Sequence, residues 1–411
     1  MREKINLCFI GCGKFCQNFV PLFKVHPDVE SVSLCDLLPE RAAATAQQFQ
    51  VSVVESFEKA LADRKINAVA IFTQRHLHGP MVIAALKAGK HVYSAVPCAS
   101  KIEEIQEIEA LVRQTRLTYS MGETGYYRSA TIFCRQKMKA GEMGDFVYGE
   151  AQYNHDQRHF DFTRSGANWR QVAGIPPMYY PTHSTSMILG ALPGVYAKKV
   201  AAFGYVEKEL TDIFGTEGQN LWNNPFINTA MLAQLSNGGI ARISENRRVA
   251  FGGPNTYISQ FYGSEASYEY SVAHHYFIHW SAEDPKKLVM NEVSRDLFPA
   301  SVYNVLNEPD TPQKICTGLG YSESSPIQPT WRLPKEFSGM RNGHNGTHHF
   351  LVDDFCQAVA TGKLSPTNIW AAARFNLPGL VAHQSALKGG ELMSVPDLGD
   401  PPADWPVLDL D

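Results

Sequence analysis

The feature that most constrains this chain is a short apolar run, Ile5–Ile10, that passes without interruption into Gly11-Cys12-Gly13. An apolar strand that ends in a glycine-x-glycine turn and opens a helix brings backbone N–H groups to a helix start, where a pyrophosphate can approach the main chain. Asp36 lies 23 residues beyond Gly13. A carboxylate at the end of the next strand can accept hydrogen bonds from the adenine-ribose hydroxyls, and its charge repels a ribose 2′-phosphate, which favours NAD. Arg41, five residues further on, leaves NADP as the alternative, and Cys16 stands where the third glycine of the fingerprint would fall.

The pattern that follows is the one such a turn requires. Short apolar segments at 5–10, 31–35, 52–54, 68–72, 91–94 and 118–121 alternate with helical stretches after Gly13, at 39–49, at 56–62 behind a capping Ser56, and at 79–88 ahead of Gly89. Alternation of this kind predicts a doubly wound parallel sheet, a Rossmann domain over residues 1–122. From Glu123 the segments become longer and richer in aromatic and β-branched residues, at 146–153, 199–205, 229–234 and 239–244. They predict an α+β domain over 123–411 with a large, mainly antiparallel open sheet. Residues 309–345, rich in Pro, Gly, Ser and Asn, read as a long loop or lid, and helices at 349–360 and 369–387 close the fold.

Bulk properties exclude several partners. The formal net charge of −4 arises from 37 basic and 41 acidic residues without runs of either sign, so nothing marks the chain for nucleic acid or an anionic membrane. No stretch approaches the roughly 18 apolar residues that span a bilayer. The first residues read as a strand and not as a leader peptide, so the expected location is cytoplasmic. Eight cysteines are scattered without the spacing of a disulfide framework, which fits a reducing compartment. The histidines at 155, 159, 344, 348 and 349 lack compact metal-ligand spacing, so no metal is expected.

Three further segments carry a resemblance. Thr73-Gln74-Arg75-His76-Leu77-His78 closes the fourth strand, Ala85-Leu86-Lys87-Ala88-Gly89-Lys90-His91-Val92 leads into the fifth, and Ala95-Val96-Pro97 follows it. With the glycine turn, these resemble the Gfo/Idh/MocA oxidoreductase superfamily over nearly the whole chain. That family reads Glu-Lys-Pro where this chain has Ala95-Val96-Pro97, and Asp-x-Gly-x-His where it has Tyr179-Tyr180-Pro181-Thr182-His183. Both departures, with the segments 343–348 and 383–391, resemble the branch of NAD-dependent glycosidases of glycoside hydrolase family 109. The resemblance implies NAD held by Gly11, Gly13, Lys14, Phe15, Asp36, Thr73, Arg75, His76, His78, Ala95, Val96, Pro97, Glu123 and Thr124. It also implies a homo-oligomer, dimer or tetramer.

Hydride removal from a sugar hydroxyl needs a group to accept the hydroxyl proton. With the family lysine replaced by Val96, His183 is the candidate base and Tyr180 its partner, in a substrate-binding segment Tyr180-Pro181-Thr182-His183. Oxidation at C3 acidifies the C2 proton; a second base then expels the C1 substituent, water adds at C1, and return of the hydride leaves a hydrolysed glycoside. The resemblance implies Tyr153 for that second base. An ordinary tyrosine titrates near pH 10, so the role requires a nearby cation, for which Arg170 is the candidate; Arg170 could instead bind the sugar hydroxyls of the substrate. The expected function is thus an NAD-dependent glycoside hydrolase acting through transient C3 oxidation. The alternatives are a sugar or glycoside 3-dehydrogenase releasing a keto sugar, a non-catalytic NAD- or sugar-sensing protein, or a conventional carboxylate pair drawn from Glu150, Asp156 and Asp161.

Overall fold

The computed structural model describes residues 4–156, 172–214, 220–249, 257–271, 274–284 and 286–408. The chain packs into two units: Met1–Thr124 with Pro329–Ala373 and Leu398–Asp411, and Gly125–Gln328 with Arg374–Asp397. The sequence division after residue 122 follows chain order. Packing also gathers two later segments into the first unit.

The first unit is built on a six-stranded, all-parallel sheet of β1 (Ile5–Ile10), β2 (Val29–Cys35), β3 (Ser52–Val53), β4 (Ala68–Ile71), β5 (His91–Ser94) and β6 (Tyr119–Met121). The spatial order 3-2-1-4-5-6 is that of a dinucleotide-binding sheet, with its switch point between β1 and β4. The central strands are almost wholly apolar because helices cover both faces of a parallel sheet. Helices α2 (Pro39–Phe49), α3 (Phe57–Ala62) and α4 (His78–Lys87) fall where the sequence places them, and Ser56 caps α3 by accepting from Lys59 N at 3.2 Å.

Two helices differ from expectation. The helix after Gly13 begins with a 3-10 turn at Cys16–Asn18, and its α-helical part, α1, spans only Val20–Val25. Pro21 explains the delay: it lacks an N–H and its ring would clash with the carbonyl four residues back, so it fits only the first turn. Between β5 and β6 lies α5 (Ile102–Thr115), which the sequence reading omitted. Ile105, Ile108 and Val112 give it a buried stripe, and Glu103 and Glu104 favour its N-terminal end.

The later segments of the first unit supply α8 (His348–Thr361), whose Phe355 packs edge-on against Phe23 and Tyr93. A buried polar knot ties this helix to the turn after α1. His26 Nε2 donates to Asp353 Oδ1 at 3.1 Å, since its Nδ1 accepts from Asp28 N. Arg332 spans Asp353 and Asp354 at 2.8 and 3.0 Å.

The second unit contains a nine-stranded sheet, in spatial order 14-13-12-11-7-10-9-8-15. Its members are β7 (Phe146–Asn154), β8 (Ala197–Val206), β9 (Phe226–Leu235), β10 (Ile240–Asn246), β11 (Tyr257–Gly263), β12 (Ala266–Ser271), β13 (His274–Trp280), β14 (Leu288–Glu292) and β15 (Met393–Ser394). All neighbours are antiparallel except β7 and β10. One face alternates buried residues toward helices α6 (Ser129–Lys139) and α7 (Thr182–Leu189); the other carries exposed residues such as Phe203, Leu232 and Ile240. The expected 369–387 helix is present as α9 (Ile369–Leu387). The 309–345 stretch holds short turns of helix at Thr311–Cys316, Thr330–Arg332, Lys335–Phe337 and Gly343–Gly346.

Candidate functional site

In the first unit the glycine turn has the geometry that a cofactor loop requires. Gly11 sits at φ +95°, and a Cβ there would lie 2.7 Å from the carbonyl oxygen of Phe72, just past the neighbouring strand β4, so glycine is obligatory. Gly13 faces open space, room that a side chain would deny to a ligand. The Asp36 carboxylate reaches back and accepts from Cys12 N at 2.7 Å, which fixes the turn to the end of β2.

Asp36 also accepts from Leu38 N at 2.9 Å and from Arg41 Nε and Nη2 at 2.9 and 2.6 Å. Burial alone would push its carboxyl up, but Arg41 and the two backbone donors outweigh it and hold the group below the usual carboxylate range. Of these partners Arg41 is the one side chain, 43% exposed and free to swing away, so it is the one that a ribose diol can replace. An open glycine and a carboxylate aimed at the turn fit an adenine dinucleotide.

Phe15 follows the turn and packs edge-on against His344 and His348, with ring centroids at 5.5 and 5.9 Å. Those histidines share a hydrogen bond of 2.7 Å, and His344 and Asn345 both adopt left-handed backbone, at φ 53° and 60°. Thr73, Arg75 and His76 lie at the β4–α4 junction. His78 is buried there, with Nδ1 2.8 Å from Pro97 O and Nε2 3.1 Å from Thr73 O. Burial lowers the pKa of His78, so the neutral ring donates to one carbonyl at a time and ties the ends of β4 and β5 together. Ala95 and Val96 are buried beyond β5, and the Val96–Pro97 peptide is cis. Glu123 and Thr124 are buried just past β6. Lys14 is exposed on the turn itself.

The second unit gathers Tyr153, Tyr180 and His183, the three catalytic candidates. Helix α7 begins directly after Pro181, and its eight residues are all buried against β7, β10 and β11. The hydroxyl of Thr185 returns to Pro181 O at 2.9 Å and that of Ser184 reaches Glu245, which lets a Ser- and Thr-rich helix sit in a core. Thr182 Oγ1 is buried without a hydrogen-bond partner among the described residues. His183 Nε2 lies 3.0 Å from Tyr180 Oη, and the His183 ring stands edge-on to Tyr153 with centroids 5.2 Å apart. Tyr153 Oη is 2.7 Å from His155 Nδ1.

Several residues of this cluster escaped the sequence reading. Strand register places Thr229, Glu245, Tyr153 and Tyr257 in one row across β9, β10, β7 and β11. Tyr257 stacks on Tyr153 at 4.8 Å and 20°. Arg128 lies with its guanidinium carbon 3.5 Å over the other face of Tyr257, while Arg247 lies 4.7 Å over Tyr153. Two stacked tyrosines are thus flanked by two buried cations. Burial lowers the pKa of Arg128 and raises that of Tyr257 well above its ordinary value. A signal existed for Glu245 and Arg247: both continue the inward alternation of Ala241 and Ile243, and a charge on the buried face of a strand demands a reason. Arg170, expected to supply the cation, lies outside the described residues, as do His159 and Asp161.

The conventional carboxylate pair gains no support from the described residues. Glu150 projects to the opposite sheet face from Tyr153, where Tyr148 and Arg242 both bond it, and Asp156 accepts from Val249 N at 3.0 Å.

Comparison with known proteins shows what the chain resembles. Residues 5–123 match the model of an oxidoreductase family with an NAD-binding Rossmann fold, GFO_IDH_MocA. The chain is 22% identical over 425 aligned residues to a glycosyl hydrolase family 109 protein of Streptomyces niveus, covering 96% of this chain and 78% of the relative. It is 28% identical over 182 residues to dTDP-3,4-didehydro-2,6-dideoxy-alpha-D-glucose 3-reductase of Streptomyces violaceoruber, covering 44% of this chain and 53% of the relative. A solved levoglucosan dehydrogenase, in complex with NADH and levoglucosan, shares the fold with a TM-score of 0.73 at 18% identity, over 96% of this chain and 100% of that one. The resemblance read from the sequence is therefore borne out: residues 5–123 match the Gfo/Idh/MocA oxidoreductases, whose Rossmann fold binds NAD, and family 109 glycosyl hydrolase proteins align along almost the full chain.

Proposed function

We propose that this protein is an NAD-dependent glycoside hydrolase that works by transient oxidation at C3. The observation that carries the reading is the Tyr180–His183 hydrogen bond beside Tyr153, an acid–base constellation within one unit whose sequence context matches proteins named for glycoside hydrolysis. Bound NAD would supply the hydride acceptor and donor. His183, with Val96 in place of the family lysine, accepts the C3 hydroxyl proton, and Tyr180 holds its Nε2 and shares the proton. Tyr153 removes the C2 proton once C3 is a ketone, with His155 Nδ1 as the outlet for its own proton. The guanidinium N–H groups of Arg128 and Arg247 that have no partner among the described residues give the cluster donors of the kind that hold sugar hydroxyls.

A second reading, a sugar 3-dehydrogenase or reductase, shares His183 and Tyr180 but has no use for a C2 base. The relative named as a 3-reductase favours it. The two part on stoichiometry: aryl-glycoside hydrolysis that requires NAD and leaves no NADH supports the hydrolase, while one NADH per sugar and no aglycone supports the dehydrogenase. Tyr153→Phe separates them again. It should abolish aglycone release and leave hydride transfer, whereas loss of both together would count against a separate C2 base.

A further inference from the structure

The Tyr153 phenol needs a cation if it is to act near neutral pH, and the described residues contain one that no resemblance points to. Arg247 follows β10, and its guanidinium carbon is 4.7 Å from the Tyr153 ring centroid and 5.6 Å from that of Tyr180. It is 5% exposed, so water screens it little. Its backbone N donates to Asn228 Oδ1 at 2.8 Å and its Nη2 to Glu245 Oε2 at 2.8 Å. Glu245 is fully buried, and its other oxygen accepts from the hydroxyl of Ser184, the residue next to His183. One buried ion pair therefore braces the start of α7 and fixes a cation over the phenol.

We infer that Arg247 is a positioning residue that acidifies the Tyr153 phenol and so sets the pH at which the C2 proton can be removed. This rests on the reading of Tyr153 as the C2 base. The ionisable groups that face Tyr153 are His155 on its own strand, Tyr180 and His183 from the segment entering α7, Tyr257 from β11, and Glu245 and Arg247 from β10 and its end; Arg128 lies behind Tyr257. Among the described residues Arg247 is the cation over Tyr153, on whose ring Tyr257 also stacks. Glu245 offsets part of its field, and Arg247 favours the phenolate because its guanidinium lies over the ring. In the step itself the Tyr153 proton passes to His155 Nδ1, and the phenolate takes the C2 proton. The C–H electron pair becomes the C1–C2 double bond, and the C1–O pair departs with the aglycone oxygen, which takes a proton from water.

The test is a pH titration of the NAD-loaded protein labelled with carbon-13 at tyrosine Cζ, with Tyr153→Phe assigning the resonance. The paired variant Glu245→Gln/Arg247→Gln avoids stranding a buried carboxylate, and Arg247→Lys keeps the charge. The expected result is a Tyr153 titration shifted to higher pH in the paired variant, a smaller rise in Arg247→Lys, and a matching alkaline shift in the pH profile of C2–deuterium exchange. A Tyr153 titration that moves in neither variant overturns the inference. If the resonance moves but Tyr153→Phe still exchanges C2 at the wild-type rate, Arg247's effect on the phenol stands and the C2-base reading fails.

Discussion

Replacing Asp36 by Asn tests the cofactor end of the account, because one carboxylate there serves both fold and ligand. In the free protein it accepts from Cys12 N, Leu38 N and Arg41. The Arg41 contribution is small because that side chain is 43% exposed, and an exposed pair is worth at most about 1 kcal/mol. The buried bond from Cys12 N matters more: a hydrogen bond to a charged acceptor is worth about 1.5–3 kcal/mol, against about 1 kcal/mol for a neutral one. Asn can accept through one atom only and presents an NH2 to the other donors, so the variant should lose about 2 kcal/mol of stability. The same reasoning applied to a ribose diol gives a loss of about 2 kcal/mol in NAD binding, or roughly 30-fold in Kd. NADP binding should weaken less or improve, since the charge opposing its 2′-phosphate is gone.

Isothermal titration of wild type and Asp36→Asn with both dinucleotides reads these values, with urea unfolding for stability. The pH dependence has a fixed sign. The folded pKa of Asp36 lies below its unfolded value, so its contribution is whole above about pH 4, the ordinary carboxylate pKa, and disappears as pH falls through the folded value. Asp36→Asn should therefore narrow its stability gap to wild type under acid conditions. Unchanged NAD affinity in a folded Asp36→Asn protein would refute the assignment of this carboxylate to the ribose.

Other outcomes follow from individual contacts. Gly11→Ala, with its Cβ 2.7 Å from a backbone oxygen at positive φ, should destabilise by about 2 kcal/mol or more and weaken NAD binding, read by thermal shift with and without NAD. Asp353→Asn breaks a buried knot that holds both His26 and Arg332 and should cost about 3–5 kcal/mol in urea unfolding. His275 and His348, pushed down to about 3, and His349 and His383, to about 4, are all lowered chiefly by burial. The unfolded chain binds their protons first, so melting temperature should be flat above about pH 6.5 and fall progressively below it. A melting temperature insensitive to pH between 6.5 and 4 would contradict that burial.

The Rossmann unit was legible because its signals are local. The apolar strand into Gly11, the carboxylate at Asp36 and the cap at Ser56 each act within a few residues. The start of α1 departs from helical periodicity because Pro21 overrides it, and α5 carries its signal in the Ile105, Ile108, Val112 stripe. The Tyr180–His183 contact was also local, three residues apart within one turn. What could not be read was the far side of the cluster. Tyr257 and Arg247 meet Tyr153, and Arg128 meets Tyr257, only through strand register and stacking across roughly 100 residues of chain. The return of segments 329–373 and 398–411 to the first unit is likewise a property of packing, which no periodicity announces.

The most direct test of the central claim is the fate of the C2 hydrogen. NAD-loaded protein would be incubated in D2O with α- and β-linked aryl glycosides, with the aglycone followed by absorbance, NADH at its own band, and the released sugar by NMR. The account predicts aglycone release with deuterium at C2 and no accumulation of NADH. Release with the original hydrogen retained at C2 would contradict oxidation and elimination, and accumulation of NADH with a keto sugar would make the protein a dehydrogenase.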